Sequence, residues 1–299
     1  MPPVGAGNVP VPRTTSGRRR KGRAGLGIVE IVVTYAVLGV FCLFALIPLL
    51  WTLSTSVKIT GDVLRWPPTF VPSTLTFEHY VTVFTVKGLP RAFLNSVLVA
   101  ALTIALTLFA ACPMAYVTAH FEFRLRRALL FLILATAMVP SISVLLPLYL
   151  IAQRLGLIDT YAILVLIYAA AMAPQVVWVL RGFFLAISPD LAQAARIDGC
   201  SRFTAFWYVI LPLARPGLGA ASMLVFVFVW NDFLITVSMT SSESMRMIQV
   251  GLAKLISDVG ISWSHYTAYT VAITLPPVVA FLALQRRFLQ SLVSGALKG

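Results

Sequence analysis

Six apolar runs, each between 19 and 26 residues long, occupy most of this chain: 28–53, 92–117, 128–151, 161–184, 216–237 and 266–284. A helix rises 1.5 Å per residue, and the hydrocarbon core of a bilayer is about 30 Å thick, so a run of about 20 apolar residues is a transmembrane length. In lipid the backbone amides must be satisfied within the span, which leaves helices for runs of this kind. Charged residues make up 11% of the chain and hydrophobic ones 59%. Soluble domains carry about 25% charged residues, so a single soluble core is excluded. The expected fold is an all-α membrane protein with six transmembrane helices, which places both ends of the chain on one side.

The net charge is +13. Its basic residues lie in short clusters between apolar runs and do not form one soluble face, which argues against a nucleic-acid partner. In a membrane protein such clusters report orientation. Of the 23 Lys and Arg, 16 fall on the side of the N-terminus and 7 on the other. The bias predicts cytoplasmic termini, a cytoplasmic loop at 188–215, and long extracytoplasmic loops at 54–91 and 238–265.

The domain organisation follows. Residues 1–27 are rich in Pro, Gly, Lys and Arg and are expected to be a disordered basic tail. Residues 28–290 form the six-helix domain, and 291–299 a cytoplasmic C-terminal tail. The first run exceeds a signal-peptide core and lacks a convincing cleavage site, so it reads as an uncleaved span. The prolines of 54–91 predict an irregular loop. Pro140 and Pro147 are expected to kink or break the third span, Pro174 lies in the fourth, and Pro276-Pro277 are expected to interrupt the sixth. Cys42, Cys112 and Cys200 match no metal spacing, and His79, His120 and His265 are far apart. Gly17–Arg23 lacks the Lys and the Ser or Thr of a phosphate-binding loop. No nucleophile–base or metal constellation supports a membrane enzyme, and no cofactor is expected in this chain.

The stretch 188–212 has a different grammar. Ser188-Pro189-Asp190 is a helix start: a capping hydroxyl, proline at the first helical position, and an acid near the positive end of the dipole. Leu191, Ala194, Ala195 and Asp198 share one mostly small face. Gly199 permits the left-handed residue that stops a helix, and Ser201 is placed to cap a second helix through Phe203, Phe206, Trp207 and Ile210. The dilution of Arg196 and Arg202 by Asp190, Gln193 and Asp198 favours a partner-docking helix over one that lies on lipid.

Gln193-Ala194-Ala195, then Asp198-Gly199, then Ile210-Leu211-Pro212 resembles the EAA loop of ATP-binding-cassette importer permeases. Gln193 stands where that family commonly has Glu, which removes the basis for a salt bridge there. Met138-Val139-Pro140 to Pro147-Leu148-Tyr149, Trp230-Asn231-Asp232-Phe233, and the end from Gln285-Arg286-Arg287-Phe288 to Gly299 look like the carbohydrate-uptake subfamily, the MalG type. The resemblance covers roughly 30–299. It implies a type I importer permease fold, and a partner set of a second homologous permease, two ATP-binding subunits, an extracytoplasmic sugar-binding protein and membrane lipid. It implies that ATP hydrolysis lies in those subunits and that the EAA loop is a coupling helix. The ATPase-coupling residues are then Leu191, Gln193, Ala194, Ala195, Arg196, Asp198 and Gly199. The outer loop 238–265 resembles the loop that reaches into the binding protein. Asn231, Asp232, Glu243 and Gln249 are candidates for pathway or binding-protein contact, with structural pairing of Asp232 and packing roles for Trp178, Phe226, Phe228 and Trp230 as the alternatives.

An ion-driven secondary transporter is the competing class, since Pro140/Pro147 and Pro276/Pro277 superficially resemble paired broken helices. Intramembrane acids are scarce, however, and that reading leaves the 188–212 grammar without a purpose.

Overall fold

A computed structural model of the chain describes the backbone of residues 23–257 and 260–296 and the side chains of 27–256 and 261–283. Most of the expected basic tail, residues 1–22, lies outside the described residues, as do 297–299. Helix α1 (Arg23–Ser56) already runs through 23–27, inside the stretch expected to be disordered. Its apolar side chains from Ile28 to Leu50 are exposed. This helix falls across the boundary between two compact units, 1–51 and 52–299.

Four helices are long and apolar enough to cross a membrane, and two sharply bent helix pairs raise that number to six if each pair is one span. In the second unit α4 (Leu89–His120) packs most extensively on α7 (Tyr161–Leu185), with α11 (Arg215–Asn231) against both. The buried face of α4 includes Ser96, Ala100, Thr103, Thr107, Ala111 and Ala115 at intervals of three and four. A stripe of small side chains lets helix axes approach closely, which matters in lipid because apolar burial alone no longer drives helices together. Gly217 allows a second close approach: a β-carbon there would lie 2.6 Å from Cγ of Phe183 on α7.

The 54–91 connection is less irregular than its prolines suggest. It forms α2 (Thr60–Val63) and α3 (Glu78–Thr85), and α3 packs on α14 (Trp263–Ala296). The buried Lys58 bonds the Thr69 carbonyl, and its own carbonyl lies 2.8 Å from Nε2 of the buried His79.

The prolines act unequally. At Pro140 the third run breaks into α5 (Arg126–Ala137) and α6 (Ser141–Arg154), bent by 89°. Pro147 sits inside α6 without breaking it, and Pro174 inside α7. The sixth run is not interrupted either, because α14 continues through Pro276 and Pro277. Proline at 277 has no N–H for the carbonyl of Ile273, four residues earlier. The indole Nε1 of Trp230 donates to that carbonyl at 3.1 Å instead. A neighbouring helix thus satisfies the freed acceptor, which is how prolines persist in membrane helices.

The fifth run ends early. After Asn231 the helix stops, and α12 (Leu234–Met239) restarts two residues later. Asp232 makes the junction. Its Oδ2 accepts from the backbone N–H groups of Ile235 at 3.0 Å and Thr236 at 3.3 Å, and from the hydroxyl of the fully buried Tyr168 at 2.8 Å. Tyr168 and Thr236 hydroxyls lie 2.7 Å apart.

Beyond α12 the outer loop contains α13 (Ile248–Ala253) and a two-residue ribbon, β1 (Ile256–Ser257) paired antiparallel with β2 (Gly260–Ile261), a minor exception to the all-helical expectation. Two features hold the loop. Asp159, in the left-handed region at φ 65°, accepts from the N–H groups of Ser241 at 2.9 Å and Ser242 at 3.1 Å. From α4, Asn95 Nδ2 donates to the carbonyls of Ser244 (3.0 Å) and Arg246 (2.8 Å), and Ser96 Oγ accepts from the N–H of Ile248 at 3.1 Å.

Candidate functional site

The site is built on α8 (Pro189–Ile197), between the end of α7 and the bent pair that leads into α11. Ser188 has extended backbone angles and its hydroxyl accepts from the N–H of Asp190 at 3.3 Å, so the predicted cap forms, with Pro189 in the first turn. At the other end the N–H of Cys200 donates to the carbonyl of Ala195 at 2.9 Å, and that of Gly199 to the carbonyl of Arg196 at 3.1 Å. This pair of bonds is the Schellman closure, and it needs a left-handed residue in the middle. Gly199 supplies it at φ 90°. Ser201 then caps α9 (Arg202–Ala205), accepting from the N–H of Thr204 at 3.1 Å. A π-helical turn (Phe206–Ile210) and α10 (Leu211–Leu213) follow, and the chain turns by 75° into α11.

What fixes α8 in place is an aromatic seat. Tyr116, near the inner end of α4, stacks on Phe206 at 4.9 Å between ring centroids and meets Phe184 edge-on at 5.7 Å. Ala195, Ala205, Phe206, Ile210 and Phe184 are buried around it. Aromatic pairs in this range contribute about 1 kcal/mol each beyond their burial. The Arg202 guanidinium lies over the Phe121 ring, 5.8 Å from its centre.

The two faces of α8 differ in a way that the residue spacing does not reveal. Ala195 points into the seat, while Leu191, Ala194, Ile197 and Asp198 are exposed. Gln193 and Arg196 are exposed as well, and they also border a cavity of about 150 Å³ with Ala192, Arg202, and Tyr116, His120 and Phe121. The expected small face is therefore divided: Ala195 is used inside the molecule, and Leu191, Ala194 and Asp198 are presented outside it. Neither Gln193 nor Arg196 forms an ion pair among the described residues.

The outer candidates do not gather into one site. Asp232 is occupied by the α12 cap and Tyr168. Asn231 is exposed and its amide donates to the Val227 carbonyl at 2.8 Å. Glu243 is exposed and pairs with Arg246 and, at 2.5 Å, with Lys254. Gln249 has its amide atoms buried without a hydrogen-bond partner among the described residues. Trp230 is buried against Phe226 and Phe93, and Trp178 is partly exposed beneath the Arg181 guanidinium. Among the described residues no three His, Cys, Asp or Glu side chains cluster as metal ligands. Sequence reasoning missed Tyr116, Phe184 and Phe206 as a seat and Tyr168 as the partner of Asp232. Tyr116, Phe184 and Tyr168 lie in the long apolar runs and Phe206 in the short helix after Ser201, and no local pattern marks them as partners.

Comparison with known proteins agrees with this geometry. The model of the binding-protein-dependent transport system inner membrane component family matches residues 104–293, more than half of the chain. The trehalose transport system permease protein SugB of Mycobacterium tuberculosis is 36% identical over 86% of this chain and 93% of its own length. The galactooligosaccharides transport system permease protein GanQ of Bacillus subtilis is 30% identical over 91% of this chain and 96% of its own. A crystal structure of a bacterial ABC transporter involved in the import of the acidic polysaccharide alginate superposes with a TM-score of 0.77 at 24% identity, over 91% of this chain and all of that one. From the capped helix α8, its broken spans and these matches together, the chain belongs to the binding-protein-dependent transport system inner membrane components, the permeases of bacterial ABC transporters.

Proposed function

We propose that this chain is a permease subunit of an ATP-driven, binding-protein-dependent importer of di- or oligosaccharides. In this reading it works beside a second permease, above two ATP-binding subunits, and takes sugar from an extracytoplasmic binding protein. Helix α8 receives the motion of one ATP-binding subunit and passes it to the spans, switching the pathway between inward- and outward-facing states. The observation that carries the proposal is α8 itself: closed at both ends, seated on the aromatic cluster, and exposing Leu191, Ala194 and Asp198. The trehalose and galactooligosaccharide relatives support the sugar class. With Gln193 uncharged, docking at this position rests on shape, not on a salt bridge.

Gly199→Pro tests the reading. Proline removes the N–H that bonds the Arg196 carbonyl and cannot adopt φ 90°. The variant is expected to insert in the membrane at normal levels but to lose association with the ATP-binding subunits and sugar uptake. Wild-type assembly and ATPase stimulation in this variant would overturn the assignment of α8.

A further inference from the structure

Helix α4 touches both ends of the proposed machine. Its inner end, through Tyr116, His120 and Phe121, borders the cavity under α8. Its outer end grips the loop after α12. Asn95 and Ser96, 4% and 1% exposed, are buried polar residues near the start of α4; the Ser96 bonds to the loop are buried and those of Asn95 partly so. Asn95 donates both amide hydrogens, to the carbonyls of Ser244 and Arg246, and accepts from the Tyr161 hydroxyl at 2.7 Å. Ser96 accepts from the N–H of Ile248 and donates to the sulfur of Met247 at 3.7 Å. Arg91, one turn earlier, donates to the Ser244 carbonyl at 3.1 Å. Of the loop residues on these bonds, Met247 and Ile248 are fully buried, Arg246 is half-buried and Ser244 is exposed.

We propose that Asn95 and Ser96 are positioning residues that fasten the outer loop to α4, so that capture of the loop by the binding protein is felt at α8 through this one helix. The proposal rests on the reading above, in which the outer loop meets the binding protein and α8 meets an ATP-binding subunit. From Asn95 to Tyr116 is about 30 Å along a helix at 1.5 Å per residue. Apart from Pro113, which has no N–H for the Phe109 carbonyl, α4 runs unbroken over that distance, and its small-residue stripe packs against α7. A packed helix of this kind shifts as a body and does not deform by degrees. Ser244 lies in a single 3-10 turn (Glu243–Met245) and Arg246 and Met247 lie in no regular element, so the carbonyls at 244 and 246 take their hydrogen bonds from the side chains of α4. The clasp converts an irregular segment into an extension of α4. Binding energy at the loop then biases the helix that borders the coupling cavity, and by linkage the state of α8 biases the loop.

The test uses the complete transporter in lipid nanodiscs with its sugar-loaded binding protein, measuring ATPase rate against binding-protein concentration. Asn95→Leu keeps the branched heavy-atom skeleton but removes both donors. It is expected to raise the half-stimulating concentration about tenfold, the cost of leaving the Arg246 carbonyl without its donor while Arg91 still holds that of Ser244. Ser96→Ala, which deletes one hydroxyl, is expected to raise it about threefold. Rates without binding protein, and recovery of the ATP-binding subunits, are expected to match wild type in both. A parallel fall of basal and stimulated rates assigns the two residues to folding alone and overturns the proposal, as does unchanged stimulation. If Asn95→Leu does not assemble, Ser96→Ala decides, since it creates no steric change. A photocrosslinker replacing the exposed Ser241 separates the two readings. No crosslink to the binding protein in the otherwise wild-type complex removes the loop reading and this proposal with it. A crosslink combined with unchanged stimulation in both variants removes this proposal only.

Discussion

Replacing Asp232 separates two uses of an acid in a membrane span: a fixed structural cap and a titrating group for ion-coupled transport. Its Oδ2 takes three hydrogen bonds, two from the start of α12 and one from Tyr168. Asp232→Ala removes the cap, which costs about 1 kcal/mol. It also takes from Tyr168 the stronger of its two partners, at about 1 kcal/mol more, since Thr236 remains within 2.7 Å. Asp232→Asn keeps an oxygen in the same place, and Asn caps helices as well as Asp does. What it loses is charge assistance to three bonds, about 1 kcal/mol in sum. The expected order of stability is wild type, then Asp232→Asn, then Asp232→Ala, with the last about 2 kcal/mol below wild type. Denaturant unfolding of the purified complex reads this order. A double-mutant cycle with Tyr168→Phe is expected to show about 1 kcal/mol of coupling, because the two side chains touch. Sugar uptake into vesicles by Asp232→Asn is expected to stay near wild type and to persist when ion gradients are collapsed. Equal stability of the Asn and Ala variants refutes the cap. A stable Asp232→Asn protein that no longer transports refutes the structural assignment and revives an ion-driven transporter.

Gly217→Val drives a branched side chain into the Phe183 ring, whose Cγ lies 2.6 Å from the position of a β-carbon. Overpacking of this kind costs about 2 kcal/mol, is read as a lowered melting temperature, and is relieved by Phe183→Ala. Asp159 supplies a pH dependence. Hydrogen bonding from the Ser242 side chain, together with the N–H groups of Ser241 and Ser242, holds its carboxyl below the ordinary carboxylate range. Its stabilising contribution is therefore present above the unfolded-state value, near 3.9, and is lost as pH falls through the lower folded-state value. Amide exchange at Ser241 and Ser242 is expected to accelerate on acidification into that window relative to other loop amides. The acceleration is expected to be absent in Asp159→Asn.

Much of the molecule is legible along the chain because its constraints are local. Helix ends at 188 and 199 are written in short-range chemistry: a hydroxyl, a proline and a glycine each act on bonds within four residues. The breaks were harder to read. Pro140 and Pro277 both lack an N–H, yet only the first bends its span. The Ile273 carbonyl that Pro277 leaves open is taken by Trp230, 43 residues before Ile273 in the chain. Proline alone states that a bond is missing, not whether a neighbour replaces it.

The small face of α8 teaches the same lesson. Spacing puts Leu191, Ala194, Ala195 and Asp198 on one side of the helix, but which part of that side turns inward depends on where Tyr116, Phe184 and Phe206 meet. Those three aromatics come from three different helical segments far apart along the chain, so no periodicity marks them as neighbours.

By itself the sequence determined that this chain is a helical membrane protein and that the 188–212 stretch is a capped helix with a glycine stop. These are consequences of solvent and of bonds between near neighbours. Only the tertiary structure decided which prolines break their helices, that Asp232 serves as a cap, which side of α8 is presented, and that Asn95 and Ser96 hold the outer loop to the helix beneath. Each of those depends on which distant group stands within hydrogen-bond or van der Waals reach, and that proximity exists only once the helices have packed.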